Sequence, residues 1–298
     1  MDRPLQGVAL QLAALMLFVA MDTLFKLMSD FHAAQLAWAR FVFSALVVAL
    51  TLRLLMGRLP WRSRAPGQQL LRSMLLLGCT LTFAEALAHI PIADATAVGF
   101  ASPLITVALA ALLLRERVGW RRWAGVAIGF VGVIIAVRPP FLTGQPLHWA
   151  YLLPLGTAAM FAFYQILTRR LATVDDPRVT ILHTSMAAAL ASSLMQPFVF
   201  VPPAPIEWVG LILVGVLGAL SHGLLVLAHA RAPASLLAPL SYSQLIWAML
   251  AGILVFADWP DGVTLLGAAV IAAGGILIAL PQRATASPPA QRPPPPGR

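Results

Sequence analysis

Asp22 and Lys26 stand four residues apart in one apolar run, and Glu85 and His89 do the same in another. On a helix that spacing puts both members of a pair on one face. Arg40 lies alone in a third apolar run. Ionisable groups in such surroundings are costly, so they serve a function or neutralise one another. Two readings follow. Asp22, Lys26, Arg40 and Glu85 form a charge-balanced polar network pinning neighbouring helices, or they take part in proton coupling. Glu85 with His89 is also placed to bind a substrate amine or a proton.

A second set is polar and aromatic. Phe100 and Ser102, beside Thr96 and Pro103, sit in the middle of a fourth apolar run, and Tyr242, Gln244 and Trp247 follow Pro239 in a ninth. Proline inside a helix frees a carbonyl, which in a membrane needs a partner or a water-filled cavity. These residues are therefore candidates to line a central substrate-binding cavity, with Tyr164, Gln165 and His222 as further candidates. The alternative is hydrogen bonding between helices by small polar residues. No GxSxG, HExxH or GxxxxGK[ST] pattern occurs, and the histidines are scattered. The expectation is no catalytic residue, no metal, no cofactor and no ATP drive. A membrane-embedded enzyme is the rival of a different class, but it lacks a visible nucleophile and base.

The elements that must hold these residues follow from composition. Of 298 residues, 60% are hydrophobic and only 10% charged, against about 25% charged in soluble domains. A soluble fold of this size could not cover its surface. With a single cysteine, Cys79, a disulfide scaffold is also excluded. The pattern predicts an all-α polytopic membrane protein with spans near 5–26, 33–52, 69–90, 92–114, 121–137, 148–168, 179–200, 208–229, 234–257 and 262–280. The first is read as a retained helix, since it carries Gln11 and Asp22 and lacks a clear cleavage site. The stretch 282–298 is proline-rich and reads as a disordered cytoplasmic tail.

The net charge of +9 is a matter of placement. With the N-terminus inside, 17 of the 20 Lys and Arg fall on the cytoplasmic side, Arg72 among them. Lys26 and Arg138 fall outside and Arg40 within a span. Such a bias sets orientation; it predicts cytoplasmic termini and removes any need for a nucleic-acid partner. The chain also compares with itself at an offset of 142: Pro91 with Pro233, Phe100 with Tyr242, Glu116 with Asp258, Gly125 with Gly267 and Gly132 with Gly274. Arginine-rich connections in the first half match uncharged or acidic ones in the second, as five spans turned upside down require. The expected domains are a first five-helix repeat at 1–142 and a second, inverted one at 143–281. Inverted repeats build many secondary transporters, with substrate near the midplane. Gly125 and Gly129 form a GxxxG, which serves close helix packing or dimerisation; a monomer is expected, with a homodimer through these glycines as the option.

The stretch 84–139, AEALAHIPIADATAVGFASPLITVALAALLLRERVGWRRWAGVAIGFVGVIIAVRP, resembles ten-helix EamA-type members of the drug/metabolite transporter superfamily. MDTLFK at 21–26 and AWARF around Arg40 fit the same pattern. The resemblance, closest to YddG-type amino-acid exporters, implies a cavity between spans 1–4 and 6–9 with spans five and ten at the periphery. It implies a secondary transporter of the bacterial inner membrane that exports amino acids or similar small amphipathic metabolites by alternating access. Metabolite uptake and efflux of a cationic drug are the alternatives. A sugar phosphate would want several basic residues at mid-depth, and the sequence offers only Arg40.

Overall fold

The computed structural model describes residues 4–113, 119–138, 148–229, 231–232, 236–237 and 240–279. Arg115, Glu116, Arg117, Pro233, Pro239 and the stretch 282–298 lie outside them. The described elements are helices: α1 (Pro4–Leu27), α2 (Ala33–Met56), α3 (Pro66–His89), α4 (Ile92–Gly99), α5 (Ser102–Leu113), α6 (Trp120–Val137), α7 (Leu152–Leu171), α8 (Pro177–Ser193), α9 (Gln196–Val199), α10 (Pro205–His229), α11 (Ser243–Phe256) and α12 (Gly262–Ala279). A 3₁₀ turn at Trp149–Tyr151 leads into α7. Among the described residues, six spans are long and apolar enough to cross a bilayer: Leu5–Leu27, Ala33–Met56, Pro66–His89, Ile92–Leu109, Trp149–Leu171 and Pro205–His229. Trp123–Val137, Ser243–Phe256 and Gly262–Ile278 are shorter apolar helices. The fold is that of an all-α polytopic membrane protein.

The termini of these helices follow from local chemistry. His32 caps α2 by accepting the Ala34 amide at 3.1 Å, and Gly57 ends it with φ 69°. Asp176 accepts the Arg178 amide at 2.7 Å to cap α8, with Pro177 in the first turn, where its missing N–H costs nothing. Leucines at 46, 50, 54 and 55 of α2 are largely exposed, as an outward face against lipid requires.

The predicted span 92–114 is not continuous. Pro103 cannot donate to the Gly99 carbonyl and its ring crowds it, so the chain turns at Phe100–Ala101 between α4 and α5. The predicted span 234–257 is likewise helical as a named element only from Ser243, after a turn at Ser241–Tyr242.

Helix neighbours are reciprocal. α1 packs on α10 and α11, while α3 packs on α7, which also packs on α4 and α5; α2 lies against α8 and α10. α6 and α12 pair with each other and reach the rest mainly through α4 and α5, so they sit at the periphery. Their approach depends on glycine. A Cβ on Gly125 would lie 2.7 Å from the Gly274 carbonyl oxygen, and one on Gly132 would lie 2.9 Å from that of Gly267. A Cβ on Gly129 would strike Leu104 at 2.5 Å. The GxxxG face thus packs within the chain, on α12 and on Leu104 of α5.

At the face that holds the N-terminus, here called proximal, one carboxylate ties two connections together. Asp175, 8% exposed, accepts from the Ser63 hydroxyl at 2.5 Å, the Arg64 amide at 2.8 Å and Gln69 Nε2 at 2.8 Å. His183 Nε2 lies 2.8 Å from the Trp61 carbonyl beside it. Burial alone would push the Asp175 carboxyl up, yet the Ser63, Arg64 and Gln69 hydrogen bonds and the His183 charge hold it below the usual range.

Two expectations follow. Gly274→Ala should lower stability by about 1–3 kcal/mol, because backbone of α6 meets the new methyl, whereas Gly156→Ala, with open space around it, should be neutral or stabilising by up to about 1 kcal/mol. Thermal unfolding in mild detergent separates the two. Asp175→Asn should cost about 1–3 kcal/mol at neutral pH. Since the folded carboxyl is depressed, its contribution is complete above the unfolded value near pH ~4 and is lost as pH falls through the folded value. The gap in melting midpoint between wild type and Asp175→Asn should therefore close on acidification, and a gap that persisted would exclude the latch.

Candidate functional site

On the opposite, distal face a cavity of about 460 Å³ opens between α2, α3, α9 and the α1–α2 connection. Glu85 and His89 line it, with Asp30, His32 and Phe198. The predicted Glu85–His89 pair forms, with His89 Nε2 3.1 Å from Glu85 Oε1, and the His89 ring packs edge-on against Trp149 at 4.8 Å. Both side chains are about 40% exposed, which makes them part of the cavity mouth.

Lys26 does not pair with Asp22. Its ammonium lies 3.4 Å from Asp258 Oδ2 and donates to the Ile90 carbonyl at 3.0 Å, with the Phe256 ring 5.2 Å away. Lys26 closes the α1 helix onto the α11–α12 connection, while Asp22 lies a helical turn deeper. The Lys26 side chain therefore turns away from its i−4 neighbour to the distal surface.

A second distal cavity, about 240 Å³, is lined by Asp94, Arg138, Tyr151, Asp258, Asp261 and Thr264 among others. Sequence reasoning singled out no site residue here. Asp94 accepts from the Tyr151 hydroxyl and from Thr264 Oγ1 at 2.8 Å. Arg138 donates to Asp261 at 2.6 Å and to Thr264 at 2.7 Å. Burial would push the Asp261 carboxyl up, but the Thr264 amide and Arg138 hold it below its ordinary value. Asp94 sits in the quoted IPIADAT stretch, and its burial among alanines was the available signal.

The remaining candidates lie deeper, around the two helix interruptions. Gln11 on α1 donates to Ser241 Oγ at 3.2 Å, and Gln165 on α7 donates to Ser102 Oγ at 3.3 Å. Each interruption is thus held by a glutamine from a neighbouring helix. Phe100 and Tyr242 meet ring to ring at 5.1 Å. The Tyr242 ring occupies the place a side chain at Gly275 would take, with its hydroxyl 1.3 Å from that hypothetical Cβ. His222 on α10 stands edge-on to Phe18 at 4.9 Å. Phe100, Tyr164, Gln165, His222, Tyr242, Gln244 and Trp247 are all half-buried, while Ser102 is buried. Gln11 Oε1, Thr96 Oγ1, His222 Nε2, Ser243 Oγ and Trp247 Nε1 are buried without a hydrogen-bond partner among the described residues.

Asp22 and Arg40 are both buried and sense one another electrostatically, without an ion pair within 4.0 Å. Arg40 donates to Thr80 Oγ1 at 2.7 Å. Arg72, expected at the entry to the third span, is 5% exposed within α3 and bonds to Thr168 Oγ1 at 2.7 Å, to Thr184 Oγ1 and to the Tyr164 hydroxyl. Its guanidinium also lies over the Tyr164 ring, 4.2 Å from the centroid. Tyr164 is therefore engaged by Arg72.

Unpaired polar atoms and aromatic faces thus lie beside two helix interruptions, and a paired acid and histidine line a separate distal cavity. The chain is similar to transporters of known name. An "S-adenosylmethionine uptake transporter" of Rickettsia bellii is 28% identical over 240 residues, covering 80% of this chain and 81% of its own. A "Riboflavin transporter" of Vibrio cholerae is 30% identical over 273 residues, covering 90% and 91%. A protein crystal structure superposes with a TM-score of 0.61 at 20% identity, over 92% of this chain and 94% of that one, a likeness of fold. The EamA-like transporter family matches twice, over residues 5–138 and 148–280. The chain belongs to the EamA-like transporter family and is a membrane transporter, not an enzyme.

Proposed function

We propose that this protein is a secondary transporter that carries a small amphipathic metabolite along a path between α1, α3–α5, α7, α10 and α11. The observation that supports it most is the set of unpaired buried polar atoms on α1, α4, α10 and α11, helices of which the last three all pack on α1. A buried polar atom left unpaired costs about 1–3 kcal/mol, a cost that a bound solute or its water removes. Phe100, Tyr242, Phe18 and Trp247 supply the apolar and ring surfaces beside these atoms. The two family matches and the reciprocal neighbours of α1 and α7, and of α3 and α10, favour two inverted five-helix repeats at 1–142 and 143–281 that rock about this region. The arginine bias favours a bacterial-type inner membrane with cytoplasmic termini, so that the distal cavity faces outward.

Amino-acid export and uptake of a larger metabolite would use the same path. The names of the relatives favour uptake, with S-adenosylmethionine and riboflavin as first solutes to try. Asp22 is the residue assigned to proton coupling, since it is buried at depth with Arg40 as its electrostatic partner.

Purified protein in liposomes, offered labelled S-adenosylmethionine, riboflavin and a panel of amino acids, should move at least one of them saturably. Tyr242→Ala should slow that movement about tenfold or more, given the loss of an aromatic contact and its packing. Asp22→Asn should abolish any stimulation by a pH gradient while leaving exchange at equilibrium. Absence of movement for every solute in both directions would overturn the proposal.

A further inference from the structure

The connection between α11 and α12, residues 257–261, is held differently at its two ends. At the α12 end, Asp261 Oδ1 accepts from Arg138 Nη2 at 2.6 Å and from the Thr264 amide at 2.8 Å. It is thereby seated on α6 and α12, which approach backbone to backbone at Gly125, Gly132, Gly267 and Gly274. Thr264 also donates to Asp94 Oδ1 at 2.8 Å and the Tyr151 hydroxyl to Asp94 Oδ2, so the start of α4 is tied to α12 and to the start of α7. At the α11 end the hold is the ion pair of Lys26 Nζ with Asp258 Oδ2 at 3.4 Å, its side chains 17% and 36% exposed. This pair joins the two stretches that the family matches, 5–138 and 148–280. Lys26 keeps a second bond within its own stretch, to the Ile90 carbonyl at 3.0 Å. Ala257 turns the chain beside Asp258 with φ 54°, a left-handed value that a residue with a Cβ adopts at a cost.

The connection meets the distal ends of the helices that border the proposed path. A Cβ on Gly252 would lie 3.3 Å from the Asp258 carbonyl oxygen and 3.5 Å from Ile92 Cγ2, so the last turn of α11, the connection and the first residue of α4 come together there. The cavity of about 240 Å³ at this place is lined by Pro91, Ala93 and Asp94 from the first stretch and by Tyr151, Gly252 and Thr264 from the second. A half-exposed ion pair is weak, which suits a contact that breaks and reforms in each cycle. We propose that residues 257–261 are a strap, anchored at Asp261 and releasable at Asp258, and that the Lys26–Asp258 pair holds the distal end of the path shut. On opening, Lys26 stays on the Ile90 carbonyl and parts from Asp258, so the break falls between the two stretches. This rests on the transporter reading above and adds the contact at which the distal side opens.

A thiol on the path reads the strap directly. Thr96 is buried on α4 with its hydroxyl unpaired among the described residues, and Thr96→Cys in a Cys79→Ser background supplies the reporter. Its labelling by a membrane-impermeant methanethiosulfonate is followed in lipid nanodiscs, where both faces are reachable. Lys26→Gln and Asp258→Asn should each speed labelling about threefold or more, the population shift that one half-exposed pair can hold. The double variant should add nothing further, since both changes remove the same contact. Lys26→Arg keeps the charge and should label as slowly as the parent. In liposomes, Lys26→Cys with Asp258→Cys, bridged by a short bifunctional thiosulfonate, should move solute at least about tenfold more slowly than the same protein after reduction. Unchanged labelling in both single variants, equal labelling of Lys26→Arg and Lys26→Gln, or full transport by the bridged protein would overturn the strap and leave the transporter standing. If the wild-type protein moved no solute while labelling followed the expected pattern, the transporter reading would fall and the strap would stand.

Discussion

A hydrocarbon core offers no hydrogen-bond partner, so every polar group placed there must find one within the chain. The rest of this structure depends on how that demand is met. Regular helix meets it along most of the chain. Where Pro103 interrupts the fourth span and the chain turns before α11, side-chain amides step in: Gln165 reaches Ser102, and Gln11 reaches Ser241. Gln35 does the same for an extended segment, accepting the Val201 amide at 2.8 Å and donating to its carbonyl at 2.7 Å. Among the described residues the demand is left unmet at several side-chain atoms, of which Gln11 Oε1, Thr96 Oγ1 and Ser243 Oγ lie on the helices that flank the two interruptions.

Charge is handled by the same economy. Acids and bases near the faces are paired locally, Lys26 with Asp258 and Arg138 with Asp261, and these half-exposed pairs hold the faces with about 1 kcal/mol or less each. Asp175, buried and bonded three times, holds the proximal connections more firmly. α6 and α12, packed backbone to backbone through their glycines, stay at the edge.

How far the sequence led can be followed residue by residue. Glu85 with His89 was legible because both partners are on one helix, where spacing alone sets the distance. Asp22 with Lys26 has the same spacing, yet Lys26 turns to Asp258, a residue brought near only by folding. Phe100 and Tyr242 matched in the self-comparison and meet in space, their ring centroids 5.1 Å apart. The burial of Arg72 was not legible, because a basic residue near the start of a span looks like a loop charge until the packing of its helix is known. Asp94 was passed over for want of any spacing partner: Tyr151 and Thr264 come from other helices.

The sequence by itself determined the class of the protein. Low charge, long apolar runs and the positions of the arginines set a helical membrane bundle, and periodicity and prolines set where the chain crosses and where it breaks. These are local quantities, written in consecutive residues. Tertiary structure alone decided which charges meet, that the Gly125–Gly129 face is filled by α12, and that a second arginine lies buried. Those outcomes depend on the packing of helices distant in sequence, where the free energy of a buried charge is set by neighbours that no local pattern names.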